Sequence, residues 1–202
     1  MATASEEKRS CEKPLIFSAP MVRALLAGRK TRTMRVIKNL PPHWDRGQKP
    51  DSWGANYFCF YSMADPIGTF PILFRAPIQV GDLIWVRETI HMPKAAARIW
   101  LRVTKVDVQR PQDLTFDEQL AEGVVSTPQW LACKGETISG RGIDEGWEEY
   151  TREVWRDLWN HINVPGAWER NDWCFVYGLE RIEKPQLNPP VTETAASEDA
   201  RE

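Results

Sequence analysis

Apolar and polar positions along this chain fall into short alternating runs broken by a few helical stripes. Residues Arg98-Ile99-Trp100-Leu101-Arg102-Val103-Thr104-Lys105-Val106-Asp107-Val108 alternate with the two-residue period of a half-buried strand. Leu83-Ile84-Trp85-Val86-Arg87-Glu88, following the turn signal Val80-Gly81-Asp82, has the apolar continuity of a buried strand, and Trp173-Cys174-Phe175-Val176-Tyr177-Gly178-Leu179 reads as another. Helical spacing brings Trp147, Tyr150, Val154, Leu158 and Ile162 onto one stripe, with Glu148, Glu149, Arg152 and Arg156 opposite, predicting a helix over 147–163. A shorter helix opens at Phe17-Ser18-Ala19-Pro20, with Ser18 positioned to cap free N–H groups, and closes at Gly28. Thr115 and Glu118 form a capping box for a third, which stops at Gly123.

The stretch 38–77 is rich in proline and holds the aromatic runs Tyr57-Phe58-Cys59-Phe60-Tyr61 and Phe70 to Phe74, which predict a hairpin inside an insertion. A second insertion is expected over 127–146. Residues 1–13 are polar and charged, and 184–202 hold Pro185, Pro189 and Pro190 among small and acidic residues, so both ends are expected to be disordered around one domain at 14–183. Several strands in a rough barrel with two or three peripheral helices give a mixed α+β class.

Of the 202 residues, 42% are hydrophobic and 27% charged, and no apolar run approaches the roughly 20 residues that cross a bilayer. With no apolar signal segment at the start, the expected location is the cytoplasm, without a membrane partner. Cys11, Cys59, Cys133 and Cys174 lie far apart, as do His43, His91 and His161, which argues against a metal site and for single reduced thiols. No cofactor is expected.

A formal net charge of −2 excludes a globally basic nucleic-acid binder, but the charge is uneven. From Lys13 to Trp44 there is no Asp or Glu, whereas Arg23, Arg29, Lys30, Arg32, Arg35 and Lys38 all fall there. The densest part, Gly28-Arg29-Lys30-Thr31-Arg32-Thr33-Met34-Arg35, leaves a helix C-terminus, where cations are electrostatically favoured, and reads either as a solvated basic loop or as one that holds an anion. Alternation would separate Lys30 and Arg32 from Thr33 and Arg35.

This octapeptide matches Gly-x-Lys-x-x-Thr-x-Arg, the signature of the ASCH domain, a small barrel resembling the PUA fold of RNA-binding proteins. Gly81-Asp82-Leu83 to Glu88 resembles the Gly-Asp turn and strand of phage and prophage ASCH proteins, and Ala121-Glu122-Gly123 the end of their short helix. The resemblance covers residues 15–182 and implies a PUA-like mixed β-barrel with an inserted hairpin region. The family includes predicted RNA-binding domains, a ribonuclease and small amidohydrolases that deacetylate N4-acetylcytidine. Carried over residue by residue, the functional groups of those amidohydrolases fall on Lys30, Thr33, Arg35 and a carboxylate, either Glu122 or Glu88.

The expected function is binding of RNA, a nucleotide or a modified nucleoside in a basic cleft formed by Gly28, Lys30, Arg32, Thr33, Arg35 and Glu88. A metal-independent amidohydrolase using Lys30, Thr33 and Glu122 is the alternative, and a phage accessory or morphogenetic protein a second one. Amide hydrolysis needs a nucleophile, a base and stabilisation of the oxyanion, roles that Thr33 or water, Lys30 and Arg35 can fill while Glu122 protonates the leaving amine. An enzyme requires Lys30 and a carboxylate within hydrogen-bond reach of one point. A binder requires an open basic strip beside an aromatic platform.

Overall fold

The structure, a computed structural model, describes residues 11–40, 49–61, 72–124 and 143–185. Among these residues eight strands form two sheets: β1 (Glu12–Ile16), β2 (Arg32–Val36), β6 (Leu83–Arg87), β7 (Trp100–Gln109) and β8 (Cys174–Ile182) in one, in the order β1-β6-β7-β8-β2, and β3 (Asp51–Ser52), β4 (Tyr57–Phe60) and β5 (Ile72–Arg75) in the other. The helices are α1 (Ala19–Leu26), α2 (Phe116–Ala121), α3 (Ile143–Ile162) and α4 (Ala167–Arg170). The α+β class expected from the sequence is the class observed, as a mixed five-stranded sheet with a three-stranded companion. No described helix is long and apolar enough to cross a membrane.

Strand alternation splits the interior in two. One face of the large sheet meets α1 and the small sheet through Phe17, Val86, Leu101, Val108, Phe175 and Tyr177, while the other packs Met34, Cys174 and Val176 under Leu114, Trp155 and Trp159. β7 keeps its apolar set on the first face only because of an irregularity between Val103 and Lys105. Val103 faces inward, Thr104 and Lys105 are both exposed, and Val106 and Val108 return to the core. A bulge adds one residue and so restores parity. Gly178 lies opposite, where a Cβ would come within 3.0 Å of Thr104 Oγ1.

Three expectations need correction. Residues 32–36 are not a loop: they form β2, paired antiparallel with β8, because Thr33, Met34 and Val36 suit a pleated surface once Tyr177 and Val176 face them. Ser18 occupies the N-cap of α1 without a side-chain cap hydrogen bond. The buried stripe of α3 is Tyr150, Thr151, Trp155 and Trp159, with Ile162 39% exposed. The stripe turns toward the larger Trp155, whose Nε1 donates to Pro111 O at 2.9 Å.

The predicted hairpin is present as β4 and β5, and the predicted capping box is complete, with Thr115 Oγ1 accepting from the Glu118 N–H and Glu118 Oε2 from the Thr115 N–H. β1 starts at Glu12, two residues ahead of the expected domain start, and runs parallel to β6. Most of the second insertion and residues 186–202 lie outside the described residues.

Candidate functional site

Two helix ends meet at the start of β2. Both close with the same backbone arrangement: after α1, Gly28 N–H donates to Leu25 O and Arg29 N–H to Ala24 O; after α2, Gly123 N–H donates to Leu120 O and Val124 N–H to Gln119 O. Glycine is required at both turns, since Gly28 has φ +71° and Gly123 φ +91°. At Gly123 the approach is also close, because a Cβ there would lie 3.1 Å from Ala24 Cβ and 3.3 Å from Lys30 Cβ. The chain between the two ends is tied down by Thr31, whose N–H donates to Ala121 O and whose O accepts from the Leu179 N–H.

This junction brings Lys30 to Glu122 across 92 residues of sequence. Lys30 Nζ donates to Glu122 Oε2 at 2.8 Å and to Glu122 O at 2.7 Å, and the two side chains are 0% and 3% exposed. The Phe17 ring lies beneath, with Lys30 Nζ 6.0 Å and the Arg35 guanidinium 5.3 Å from its centroid. Thr33 is buried and joins through Arg35, whose Nη1 donates to Thr33 Oγ1 at 3.2 Å. The rest of the Arg35 guanidinium is held by Met34 O and Ile16 O.

Burial pulls the Lys30 ammonium below its ordinary pKa, Glu122 opposes this, and Arg35 and Arg32 add to it. Desolvation likewise works against the charge on Arg35. Tyr177, in register with Thr33, is pushed up, also mainly by burial.

The residues marked from the sequence do not all converge. Lys30, Thr33, Arg35 and Glu122 come together. Lys30 lies on the Thr33 and Arg35 side of the strand rather than with Arg32, because it precedes β2 and is outside its alternation. Arg32 points to the opposite face, where Nη1 meets Glu118 Oε1 at 2.6 Å and Nη2 donates to Gln109 Oε1. A cavity of about 180 Å³ opens beside it, lined by Lys105, Asp107 and Glu118 among others. Gly28 shapes the turn between α1 and Lys30. Glu88 is held by the fork of Arg98 at 2.6 and 2.9 Å, which depresses its pKa, and is not joined to Lys30.

Phe17, Glu118 and Gln109 are part of the site and were not marked from the sequence. Glu118 and Glu122 stand at i and i+4 on one helix, the spacing that lets both reach the same cation, and that was the available signal. The positive stretch is not an open strip either, since Lys30, Arg32 and Arg35 are each taken up by acceptors of the protein itself. Among the described residues no group of three or more His, Cys, Asp or Glu stands where a metal could be held.

Neither the family models nor the curated proteins give a match to this chain. Among solved structures, it is similar to the crystal structure of protein EF3133 from Enterococcus faecalis V583, of the DUF984 family, at 11% identity and a TM-score of 0.37. That likeness covers 84% of this chain and 74% of the other. A likeness of this size carries no argument about ligand or activity.

Proposed function

We propose that this is an ASCH-type domain whose Lys30–Glu122 pair serves a metal-independent amidohydrolase acting on an N-acylated nucleoside of the N4-acetylcytidine kind. The observation that carries this reading is the 2.8 Å contact between a fully buried ammonium and a buried carboxylate, with the buried Thr33 hydroxyl tied to the same cluster through Arg35. Titratable groups shifted by burial and specific partners cluster at functional sites more than elsewhere. The gathering of Lys30, Thr33, Arg35 and Glu122, with Arg32 and Arg35 already partnered, favours a compact reacting centre over a strip that tracks a polynucleotide.

The pair shares one proton. With the proton on Glu122, the Lys30 amine is a base that receives the Thr33 hydroxyl proton as Oγ1 bonds to the acyl carbon. The C–N bond breaks as Glu122 gives its proton to the leaving nitrogen. Water then cleaves the Thr33 ester, restoring the hydroxyl and releasing the free acid, and the proton returns from Lys30 to Glu122. Arg35, beside Thr33, stabilises the oxyanion. It is also less deeply buried than Lys30, Thr33 and Glu122, so a substrate reaches Thr33 once this guanidinium swings off Phe17.

Release of cytidine from N4-acetylcytidine by the purified protein tests the reading, with Lys30→Met, Glu122→Gln and Thr33→Val as variants and single-stranded RNA binding measured on the same samples. Loss of release in all three variants supports it. No release by the wild type overturns it, and RNA binding lost in Lys30→Met would then make the cluster a recognition site.

A further inference from the structure

The side of β2 that faces away from Thr33 carries a second constellation, built on Arg32. Its guanidinium is gripped by Glu118 Oε1 at 2.6 Å and by Gln109 Oε1, and Gln109 Nε2 donates back to the same Glu118 oxygen at 3.1 Å, closing a ring of three side chains from β2, β7 and α2. The Arg32 side chain is 12% exposed and so is fixed in one orientation by protein rather than by solvent. What that orientation achieves is an approach to the reacting pair from behind. Arg32 Nε lies 3.7 Å from Glu122 Oε1, and both atoms are buried without a hydrogen-bond partner.

That distance is an ion-pair separation and exceeds a hydrogen bond. Glu122 is therefore held by two cations in different ways: Oε2 is hydrogen-bonded to Lys30, whereas Oε1 feels the charge of Arg32 and keeps its own hydrogen-bonding capacity unused. A buried oxygen left in this state costs free energy unless something fills it, and a substrate N–H or leaving amine is such a group. We infer that Arg32 is a positioning residue for Glu122 and, through it, for Lys30, acting from the opposite face of β2. This rests on the amidohydrolase reading for its chemical meaning, but not for its test.

The charged groups facing Lys30 are Glu122 from the end of α2 and Arg35 and Arg32 from β2. Arg35 stays in every variant considered. Removing the charge of Arg32 takes away a cation that opposes protonation of Lys30. A merely structural Arg32 would alter stability and leave the titration where it was.

The experiment is an NMR titration of the Lys30 Cε resonance in 13C-lysine-labelled protein, assigned with Lys30→Met, comparing wild type, Arg32→Met, Arg32→Lys and Glu118→Gln. The expected result is a midpoint raised above that of the wild type in Arg32→Met. Arg32→Lys, which keeps the charge and loses the fork, retains the wild-type midpoint but loses kcat on N4-acetylcytidine with little change in KM. Should Arg32→Met not fold, Glu118→Gln releases the guanidinium without removing it, and its midpoint must then move. An unchanged midpoint in folded Arg32→Met, or in Glu118→Gln where Arg32→Met does not fold, overturns the inference. The titration needs no turnover, so a protein that leaves N4-acetylcytidine intact would sink the hydrolase reading and still decide the role of Arg32.

Discussion

Replacing Lys30 by Met separates the energetics of the site from its chemistry. The substitution leaves volume and shape nearly unchanged but strands the Glu122 carboxylate, 3% exposed, without the donor at 2.8 Å. It also removes the bond to Glu122 O at the end of α2. Breaking a buried pair from one side costs about 3–5 kcal/mol, which for a chain of this size lowers Tm by roughly 6–20 °C. Glu122→Leu is expected to cost less, because a stranded lysine can shed its proton and enter the neutral form that burial already favours.

The double variant Lys30→Met, Glu122→Leu is expected to be more stable than Lys30→Met alone, since an apolar pair of similar volume needs no desolvation. Arg32 and Arg35 keep their own acceptors, Glu118 and Gln109 for the first and Ile16 O and Met34 O for the second, so neither is orphaned. A coupling of about 1–3 kcal/mol should therefore appear in the cycle. Urea unfolding followed by the fluorescence of the buried Trp155, Trp159 and Trp173 measures all four proteins. A double variant as unstable as the sum of the singles would refute the reasoning, because the two side chains would then not be acting as one pair.

Gly123→Ala and Gly28→Ala both force alanine into positive φ, a strain of about 1–2 kcal/mol, but only Gly123 has neighbours within 4 Å, so thermal melting should show it as the costlier of the two. Burial works to raise the pKa of Glu118, yet the hydrogen bonds from Arg32, the Thr115 N–H and Gln109 hold it at about 2 against an ordinary 4.5. Its stabilising contribution is thus complete above 4.5 and lost as pH falls toward 2, and the acid limb of a urea-stability profile should flatten in Glu118→Gln. Glu88→Gln breaks only the exposed contact with Arg98, so N4-acetylcytidine turnover should stay at the wild-type rate; loss of turnover would return Glu88 to the site in place of Glu122.

Local chemistry made some of this legible in the sequence. The capping box at Thr115 and the glycines at 28 and 123 are read from residues a few positions apart, and each stands as expected because its partners are its own neighbours. β2 was not legible as a strand: a basic stretch after a helix reads as a loop, and only β8, some 140 residues later, supplies the ladder that makes it one. The same distance hides the choice between Glu122 and Glu88. Both are carboxylates at the end of an element, and what decides is the meeting of the ends of α1 and α2 at Gly123, a long-range fact. Alternation separated Arg32 from Thr33 and Arg35 correctly, but failed for Lys30 because the residue sits outside the strand.

The Lys30 ammonium has a structural use, and the question is whether that use accounts for its burial. The last carbonyls of α2 are largely satisfied without it: Gln119 O and Leu120 O accept from Val124 and Gly123, and Ala121 O accepts from Thr31. Only Glu122 O depends on Lys30, and a water molecule could serve that carbonyl at no desolvation cost to a side chain. Capping therefore explains one of the two bonds that Lys30 makes and none of the burial of Glu122 Oε1, which has no hydrogen-bond partner. A fold that needed only a closed helix end would not hold an amine and a carboxylate, with two guanidiniums nearby, away from water. The proposed proton-transferring pair would use this surplus, and a shift in the Lys30 titration tests that use where the coupling measured in the double variant does not.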